Sequence, residues 1–313
     1  MTFSIVIPTY NGAAYIEEAI QSVLQQQRQA DEIIVSDDNS SDKTLAICEK
    51  YKDRVKIYTH NQGPSGFVNG WNNAIAHATS DYISILHQDD RLEPNFLEEI
   101  EHAIYQYPGV KHLFAPCNYI DENGEICQTA DYCDGGICLY DRVAYIEAYQ
   151  QIGHPHIHRC PGVVTHRSIF QKCRYRTEAG HIADDDFFYR VGEYTDVVGV
   201  LKPLAAYRLH ASSETGRLKN QDLIRRLAND YVFQLNYWKN NPLRTSQLWK
   251  YILKYAIHFA WEELVYGIRL KDKALLKDSI RNIKEIISIE DKIPCKIRWF
   301  YTSYMLLKKC HLL

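Results

Sequence analysis

The sequence predicts an α/β fold: a Rossmann-like, mainly parallel sheet flanked by helices, followed by a helical C-terminal extension. Three observations point to it. Across residues 1–100, short β-branched runs alternate with segments whose apolar residues recur at helical spacing, the pattern of successive βαβ units. Two of the strand-like runs end in paired carboxylates, Asp37-Asp38 and Asp89-Asp90. From about Asn220 the chain turns helical and aromatic, through Tyr231, Trp238, Trp249, Tyr255 and Trp261.

The first strand is read over Phe3 to Pro8, an apolar β-branched run. After the Asn11-Gly12 turn, Ile16, Ile20, Val23 and Leu24 mark one face of a helix whose other face carries Gln and Glu. Glu32 to Val35 forms a second strand, and Ser40 or Ser41 is expected to cap a helix running to about Tyr51. Val55 to Tyr58 is a third strand. The Gly63-Pro64-Ser65-Gly66 turn leads to a helix over Val68 to Ala78, and Tyr82 to Leu86 is a fourth strand running into His87-Gln88-Asp89-Asp90. Beyond Leu113 the pattern loosens: a strand, a turn at Asp121-Glu122-Asn123-Gly124, then loops to about Val164. Asn241-Pro242 is expected to break the C-terminal helices. The boundaries drawn are 1–215 for the α/β domain and 216–313 for the helical extension.

Composition excludes several classes. The 313 residues are 46% hydrophobic and 24% charged with a formal net charge of -3, which gives no basic footprint for a nucleic-acid partner. The nine cysteines are odd in number and contain no CxxC pair, so they read as reduced thiols of a cytoplasmic protein. No basic leader precedes the first strand, and no apolar run reaches the roughly 18 residues of a spanning helix. Neither GxGxxG nor GxxxxGK[ST] is present, which argues against a nicotinamide enzyme and a P-loop kinase.

Carboxylates then carry the chemistry. Open α/β sheets bind ligands beyond the carboxyl ends of their strands, so both acidic pairs are expected to face one crevice. Paired carboxylates repel unless something positive lies between them, and Asp89-Asp90 offers hard oxygen ligands suited to Mn2+ or Mg2+ bridging substrate phosphates. Aspartates capping the following helices would account for both pairs equally. Asp184-Asp185-Asp186 runs into an apolar helix start. Negative charge there suits the helix dipole, yet three adjacent aspartates exceed what a cap needs, and one of them can serve as a general base.

These residues resemble the family 2 inverting glycosyltransferases of the GT-A fold. The resemblance rests on Ser4-Ile5-Val6-Ile7-Pro8-Thr9-Tyr10-Asn11, on Ile34-Val35-Ser36-Asp37-Asp38-Asn39-Ser40-Ser41-Asp42, on Asp81 through Asp90, and on Ala183-Asp184-Asp185-Asp186-Phe187-Phe188-Tyr189-Arg190, in that order over about residues 1–215. It implies transfer of a sugar, with inversion, from a nucleoside-diphosphate sugar of the UDP type to an acceptor hydroxyl. The acceptor it implies is a glycan or lipid-linked saccharide in bacterial cell-surface polysaccharide assembly. It implies a nucleotide-sugar pocket of Pro8, Thr9, Tyr10, Asn11, Asp38, Gly66, Asn72 and Asp89, a metal held by Asp89, Asp90 and His210, and Asp184 as base. The chain departs from the family pattern at His87, where an aspartate is usual, at Ala183, where glutamate is usual, and at Trp71, near which an arginine is expected. Two rivals differ in class: a sugar nucleotidyltransferase, which would want a glycine-rich triphosphate loop that Pro8-Thr9-Tyr10-Asn11-Gly12 lacks, and a non-catalytic carbohydrate-binding protein on the same fold.

Two further patterns stand apart. His154, His156 and His158 alternate, so an extended segment would put three imidazoles on one face, as zinc ligands or as acceptor-site loop residues. After Asp291 no acidic residue occurs, and Lys292, Lys296, Arg298, Lys308 and Lys309 alternate with Trp299, Phe300, Tyr301 and Tyr304. Such a basic amphipathic helix either lies on the inner face of the plasma membrane, a peripheral contact, or packs on the protein.

Overall fold

The computed structural model describes residues 1–149, 156–214, 216, 218, 220–290 and 301–302. The chain divides into two compact units, Met1–Thr177 with Asp184–His210, and Glu178–Ala183 with Ala211 onward.

The first unit opens as the apolar patterning dictates: β1 (Phe3–Thr9), α1 (Ile16–Leu24), β2 (Glu32–Asp37), α2 (Thr44–Cys48), β3 (Lys56–Thr59), α3 (Phe67–His77) and β4 (Tyr82–Ile85). All seven residues of β1 are buried, which explains why it reads as an unbroken apolar run rather than an alternating one. One expectation fails. Ser40 and Ser41 do not cap α2; the Ser40 hydroxyl is taken by Asp37, and the helix lasts only from Thr44 to Cys48 before tightening into a 3-10 turn over Glu49–Tyr51. Asp42 instead accepts the Thr44 amide at 2.9 Å.

Next come β5 (Arg91–Leu92), α4 (Phe96–Gln106), β6 (His112–Phe114), β7 (Cys117–Ile120), β8 (Ile126–Gln128), β9 (Ile137–Tyr140), α5 (Arg142–Tyr149), β10 (Val163–His166), α6 (Arg167–Phe170), α7 (Ala183–Val191), β11 (Val197–Val200) and β12 (Ala205–Arg208). The main sheet has eight strands in the order β3-β2-β1-β4-β10-β6-β11-β9. It is parallel from β3 to β4 and mixed beyond, because β10 runs antiparallel to both β4 and β6 and β9 antiparallel to β11. Strict strand-helix alternation stops after α4, so no crossover helix imposes parallel pairing there. Ile5, Ile7, Val35, Leu86 and Leu113 pack with α1 residues Ile16, Ile20 and Val23 and α4 residues Phe96 and Ile100 in one core. Each fully buried aliphatic side chain of this kind stabilises the fold by about 1.5–3 kcal/mol.

A smaller sheet, ordered β5-β12-β7-β8, does the positioning. β5 begins directly after Asp90, and its pairing with β12 sets Ala206 opposite Arg91, so Arg208 and His210 arrive beside Asp89 and Asp90. The turn at Asp121–Gly124 joins β7 to β8 as the sequence predicts, with the Gly124 amide on the Asp121 carbonyl.

The second unit contains α8 (Asn220–Trp238), α9 (Ser246–Leu270) and α10 (Lys273–Ile289). The break around Asn241-Pro242 falls between α8 and α9, where expected. Thr245 caps α9 and Asp272 caps α10. Of the basic aromatic segment from Lys292 to Lys309, only residues 301–302 lie within the described residues.

Candidate active site

Three loops at the carboxyl edge of the parallel strands meet around Thr9. The Asp38 amide donates to the Thr9 carbonyl at 2.8 Å, tying the end of β2 to the end of β1. Gln88 ties the other side: its Oε1 accepts from the Thr9 hydroxyl at 2.5 Å and the Tyr10 amide at 2.9 Å. The two acidic pairs therefore flank the same strand end, as the fold class predicts.

Within that frame each pair has distinct duties. Asp37 is fully buried and accepts from the Ser40 amide and hydroxyl, so it orders the loop. Asn11, in the left-handed region at φ 48°, accepts the Ser41 amide at 2.9 Å while its own amide donates to Ser40. Asp38 takes the Ser65 amide at 2.7 Å and the Ser65 hydroxyl at 3.0 Å, pinning the 63–66 turn. Gly63 is required there, since a Cβ would sit 2.6 Å from the Asp38 carbonyl oxygen. Gly66 opens α3 at φ 89° with open space before it. Asn72 is turned to the Tyr175 carbonyl at 2.9 Å, and Tyr10 is exposed. Pro8 sits in β1, paired in register with Ser36.

At the end of β4, one ligand atom each from His87, Asp89 and Asp90 falls within 4.8 Å of the others, the one such His/Cys/Asp/Glu group among the described residues. Asp90 is 2% exposed; its Oδ1 accepts the Arg208 amide at 2.8 Å, and its Oδ2 is buried without a hydrogen-bond partner. Burial, reinforced by the charge of Asp89, pushes the Asp90 carboxyl well above its ordinary range. Burial opposes charge on Asp89 too, but His210, with Nε2 at 2.9 Å from Oδ2, and the neighbouring His87 hold its carboxyl low. His87 stacks on Trp71, ring centroids 5.1 Å apart, with Nε2 buried and unbonded. Two orphaned buried ligand atoms on a convergent His-Asp-Asp set fit a divalent cation, with His210 behind Asp89. The sequence reading treats His87 only as a missing carboxylate; the structure brings its imidazole into the set.

Sequence reasoning missed Arg208, the residue that anchors this turn. Its Nε donates to the Asp89 carbonyl at 2.8 Å, Nη1 to the Asp121 carbonyl at 3.1 Å and Nη2 to Glu18, while the guanidinium lies 4.6 Å from the Tyr15 ring centroid. Glu18 lies far from Arg208 in sequence, so no local signal announced the contact.

The acidic triplet of α7 sorts by environment. Asp186, fully buried, pairs with Arg176 and with Arg190, one turn on along the helix. Asp185 accepts from the Tyr149 hydroxyl at 2.7 Å and lies 3.3 Å from His156 Nδ1. Asp184 alone keeps partial exposure. Burial, then repulsion from Asp185, pushes its carboxyl up to about 7. Phe187 and Phe188 fix the helix, Phe187 stacking on Tyr175 at 4.3 Å and Phe188 meeting His158 edge-on at 4.7 Å. Two side chains sense both acidic sets: burial and then Asp90 and Asp184 push the Tyr207 phenol up, and burial with the same two aspartates does so for the Cys160 thiol. Asp184 and Asp90 thus act on common neighbours.

The alternating histidines separate. His158 is buried with Nε2 2.9 Å from the Tyr145 hydroxyl, His156 serves Asp185, and His154 lies outside the described residues. The seven described cysteines are free. Among the described residues no helix is long and apolar enough to cross a membrane.

Comparison with known proteins agrees with this geometry. Residues 4–110 match the model of glycosyl transferase family 2. A Campylobacter jejuni GalNAc(5)-diNAcBac-PP-undecaprenol beta-1,3-glucosyltransferase is 33% identical over 129 residues, 39% of this chain and 40% of that protein. The chain thus matches well under half the length of that relative. S. aureus TarS 1-349 in complex with UDP-GlcNAc superposes with a TM-score of 0.66 at 16% identity, covering 95% of this chain and 83% of that one. The mannosyltransferase PcManGT from Pyrobaculum calidifontis, in complex with GDP-Man and Mn2+, gives 0.55 at 16% identity over 97% of this chain and 80% of that one. With the family match falling on the strands that carry both acidic pairs, and a GT-A-like fold around them, the chain resembles glycosyl transferase family 2 over residues 4–110.

Proposed function

We propose that this protein transfers a sugar, with inversion, from a UDP-sugar to an acceptor hydroxyl in bacterial cell-surface polysaccharide assembly, with Asp184 as the general base. The observation that carries the reading is Asp184 itself: the one partly exposed member of its triplet, with a carboxyl pushed up to about 7, sharing neighbours with Asp90. A base with that affinity accepts a proton near neutral pH and releases it readily.

In this reading the donor nucleotide lies across the ends of β1 and β2, along Pro8, Thr9, Tyr10, Asn11 and Asp38, with Gly66 and Asn72 on the adjoining turn and helix. Asp89 and Asp90, with His87 and His210, would hold Mn2+ or Mg2+, which when bound neutralises charge building on the departing diphosphate. Arg208 keeps that turn in place. Asp184 removes the proton from the acceptor hydroxyl oxygen as that oxygen closes on the anomeric carbon from the face opposite the diphosphate, which gives inversion in one displacement. The UDP preference draws on the UDP-GlcNAc complex of TarS, and the lipid-linked saccharide acceptor on the undecaprenol-linked glycan in the name of the Campylobacter relative. Such an acceptor would be met at the inner face of the plasma membrane, with the basic aromatic segment after Asp291 as the contact.

A panel of nucleoside-diphosphate sugars tested for thermal stabilisation, with and without manganese, tests the donor claim. A true donor raises the melting temperature by mass action and more so with the cation. No stabilisation by any UDP-sugar, with stabilisation by another nucleotide class, would redirect the reading.

A further inference from the structure

We propose, on the reading of the 87–90 turn as a divalent-cation site, that the His87 imidazole is a direct ligand of that cation and sets its class: a first-row transition ion such as Mn2+, taken in preference to Mg2+. The turn brings this about. The Asp90 amide donates to the His87 carbonyl at 3.2 Å, so the first and last side chains of the turn lie together, while Gln88 is drawn the other way onto Thr9 and Tyr10. His87 Nδ1 then stands 3.7 Å from Asp90 Oδ2, too far for a hydrogen bond and near enough for one small cation to touch both. Among the described residues His87 makes no hydrogen bond through either ring nitrogen, and Nε2 is buried. Asp90 Oδ2 is buried and unbonded too, although its sister Oδ1 holds the Arg208 amide at 2.8 Å. A pair of polar side chains meant only for each other would close to bonding distance; this pair stops short of it.

The imidazole is held for this task from its other side. Trp71, 8% exposed on α3, stacks on His87 with the ring planes 17° apart, and Trp71 itself meets Phe67 edge-on at 5.1 Å and Tyr175 at 5.2 Å. His87 and Trp71 are two of the positions at which the sequence departs from the family pattern, and they touch. Together they exchange a carboxylate for an imidazole carried on an apolar ring. The exchange alters which ion fits. Mg2+ takes oxygen ligands in near-ideal octahedral geometry and gives up water reluctantly, whereas imidazole nitrogen suits first-row transition ions, whose affinity for nitrogen and oxygen sites rises from Mn2+ onward. Asp89 and Asp90 supply the oxygens, and His210, with Nε2 at 2.9 Å from Asp89 Oδ2, orients the first of them. His87 is thus the specificity-determining residue and Trp71 a positioning residue.

Calorimetric titrations of the full chain with Mn2+ and with Mg2+, each alone and with UDP, together with pulsed EPR of the Mn2+ complex, test this without any sugar transfer. The parent should bind Mn2+ at least about tenfold more tightly than Mg2+, and His87→Asp should lower that ratio by about tenfold. Mn2+ on the parent should show ligand-nitrogen modulation that survives His210→Gln and is lost in the His87→Asp, His210→Gln double variant. Trp71→Leu should weaken Mn2+ binding by about tenfold, and Trp71→Phe, which keeps a ring against His87, should recover most of it. Where His87→Asp does not fold, His87→Gln, an oxygen donor of similar length, decides on the same two readouts. A ratio unmoved by the loss of His87, or nitrogen modulation absent from Mn2+-loaded His210→Gln, overturns the assignment of His87 alone. Binding of neither ion by the parent would overturn the metal reading itself and this assignment with it.

Discussion

Replacing Arg208 with methionine removes the anchor of the 87–90 turn while keeping an apolar stem of similar length. The structure sets the size of the loss. Two charge-assisted bonds go to part-buried carbonyls, those of Asp89 at 2.8 Å and Asp121 at 3.1 Å, and each such bond contributes about 1.5–3 kcal/mol. The pair with Glu18 adds little, about 0–1 kcal/mol, because the Glu18 side chain is 39% exposed. Stacking on Tyr15 adds about 0.5–1 kcal/mol. Relaxation and water entry recover part of this, leaving an expected loss of about 3–5 kcal/mol, comparable to leaving a buried charge partner uncompensated. For a domain of this size that lowers the melting temperature by about 6–15 °C. Thermal and urea unfolding of Arg208→Met and the parent protein measure it, and manganese titration should show weaker binding because Asp89 has lost its backbone tether. Arg208→Lys should recover less than half, since an ammonium cannot span the Asp89 and Asp121 carbonyls as the planar fork does. A drop of less than about 2 °C with manganese affinity unchanged would refute the assignment of Arg208 as the anchor.

Further outcomes follow from the same geometry. Because Asp184 must be deprotonated to act as base and its carboxyl lies at about 7, kcat/KM should fall about tenfold per pH unit below that value and level off above it; a flat profile from pH 5 to 8 would contradict the assignment. Asp186→Asn breaks a buried pairing with Arg176 and Arg190 and should destabilise by about 3–5 kcal/mol in urea unfolding, without moving the pH profile. In the helical unit, burial pushes Asp230 and Glu263 each up to about 7, above their unfolded values, so the stability they favour is complete in acid and fades as pH rises through about 7. The Asp230→Asn, Glu263→Gln double variant should therefore lose less stability between pH 5 and pH 8 than the parent, as read by chemical unfolding at each pH. Asp90→Asn should abolish the manganese-dependent rise in melting temperature; an undiminished rise would place the cation elsewhere.

What the sequence made legible was whatever depends on local pattern. β1 announced itself because all seven residues are buried, and the break before α9 because Pro242 cannot continue a helix. The acidic pairs were legible because parallel strands end at one edge. The α2 cap was misread because Ser40 has two competing partners, the Asp37 carboxylate and the Asn11 amide, that only the folded loop supplies. Val163–His166 runs antiparallel to both of its neighbours, a direction that nothing in its own residues announces. The triplet on α7 could be recognised but not sorted: which aspartate is buried with arginines, which is tied to Tyr149, and which stays open depends on partners up to 36 positions away. Arg208 was invisible for the same reason, its Glu18 partner lying 190 positions earlier.

The proposed role of Asp184 is to supply the base for sugar transfer beside Asp89 and Asp90. Release of UDP from UDP-sugars by the parent protein and by Asp184→Asn, under saturating manganese, tests it most directly. Slow release by the parent, a reduction of about 10²- to 10⁴-fold in the variant, and equal donor binding in both are expected. Equal release by the two proteins would contradict it.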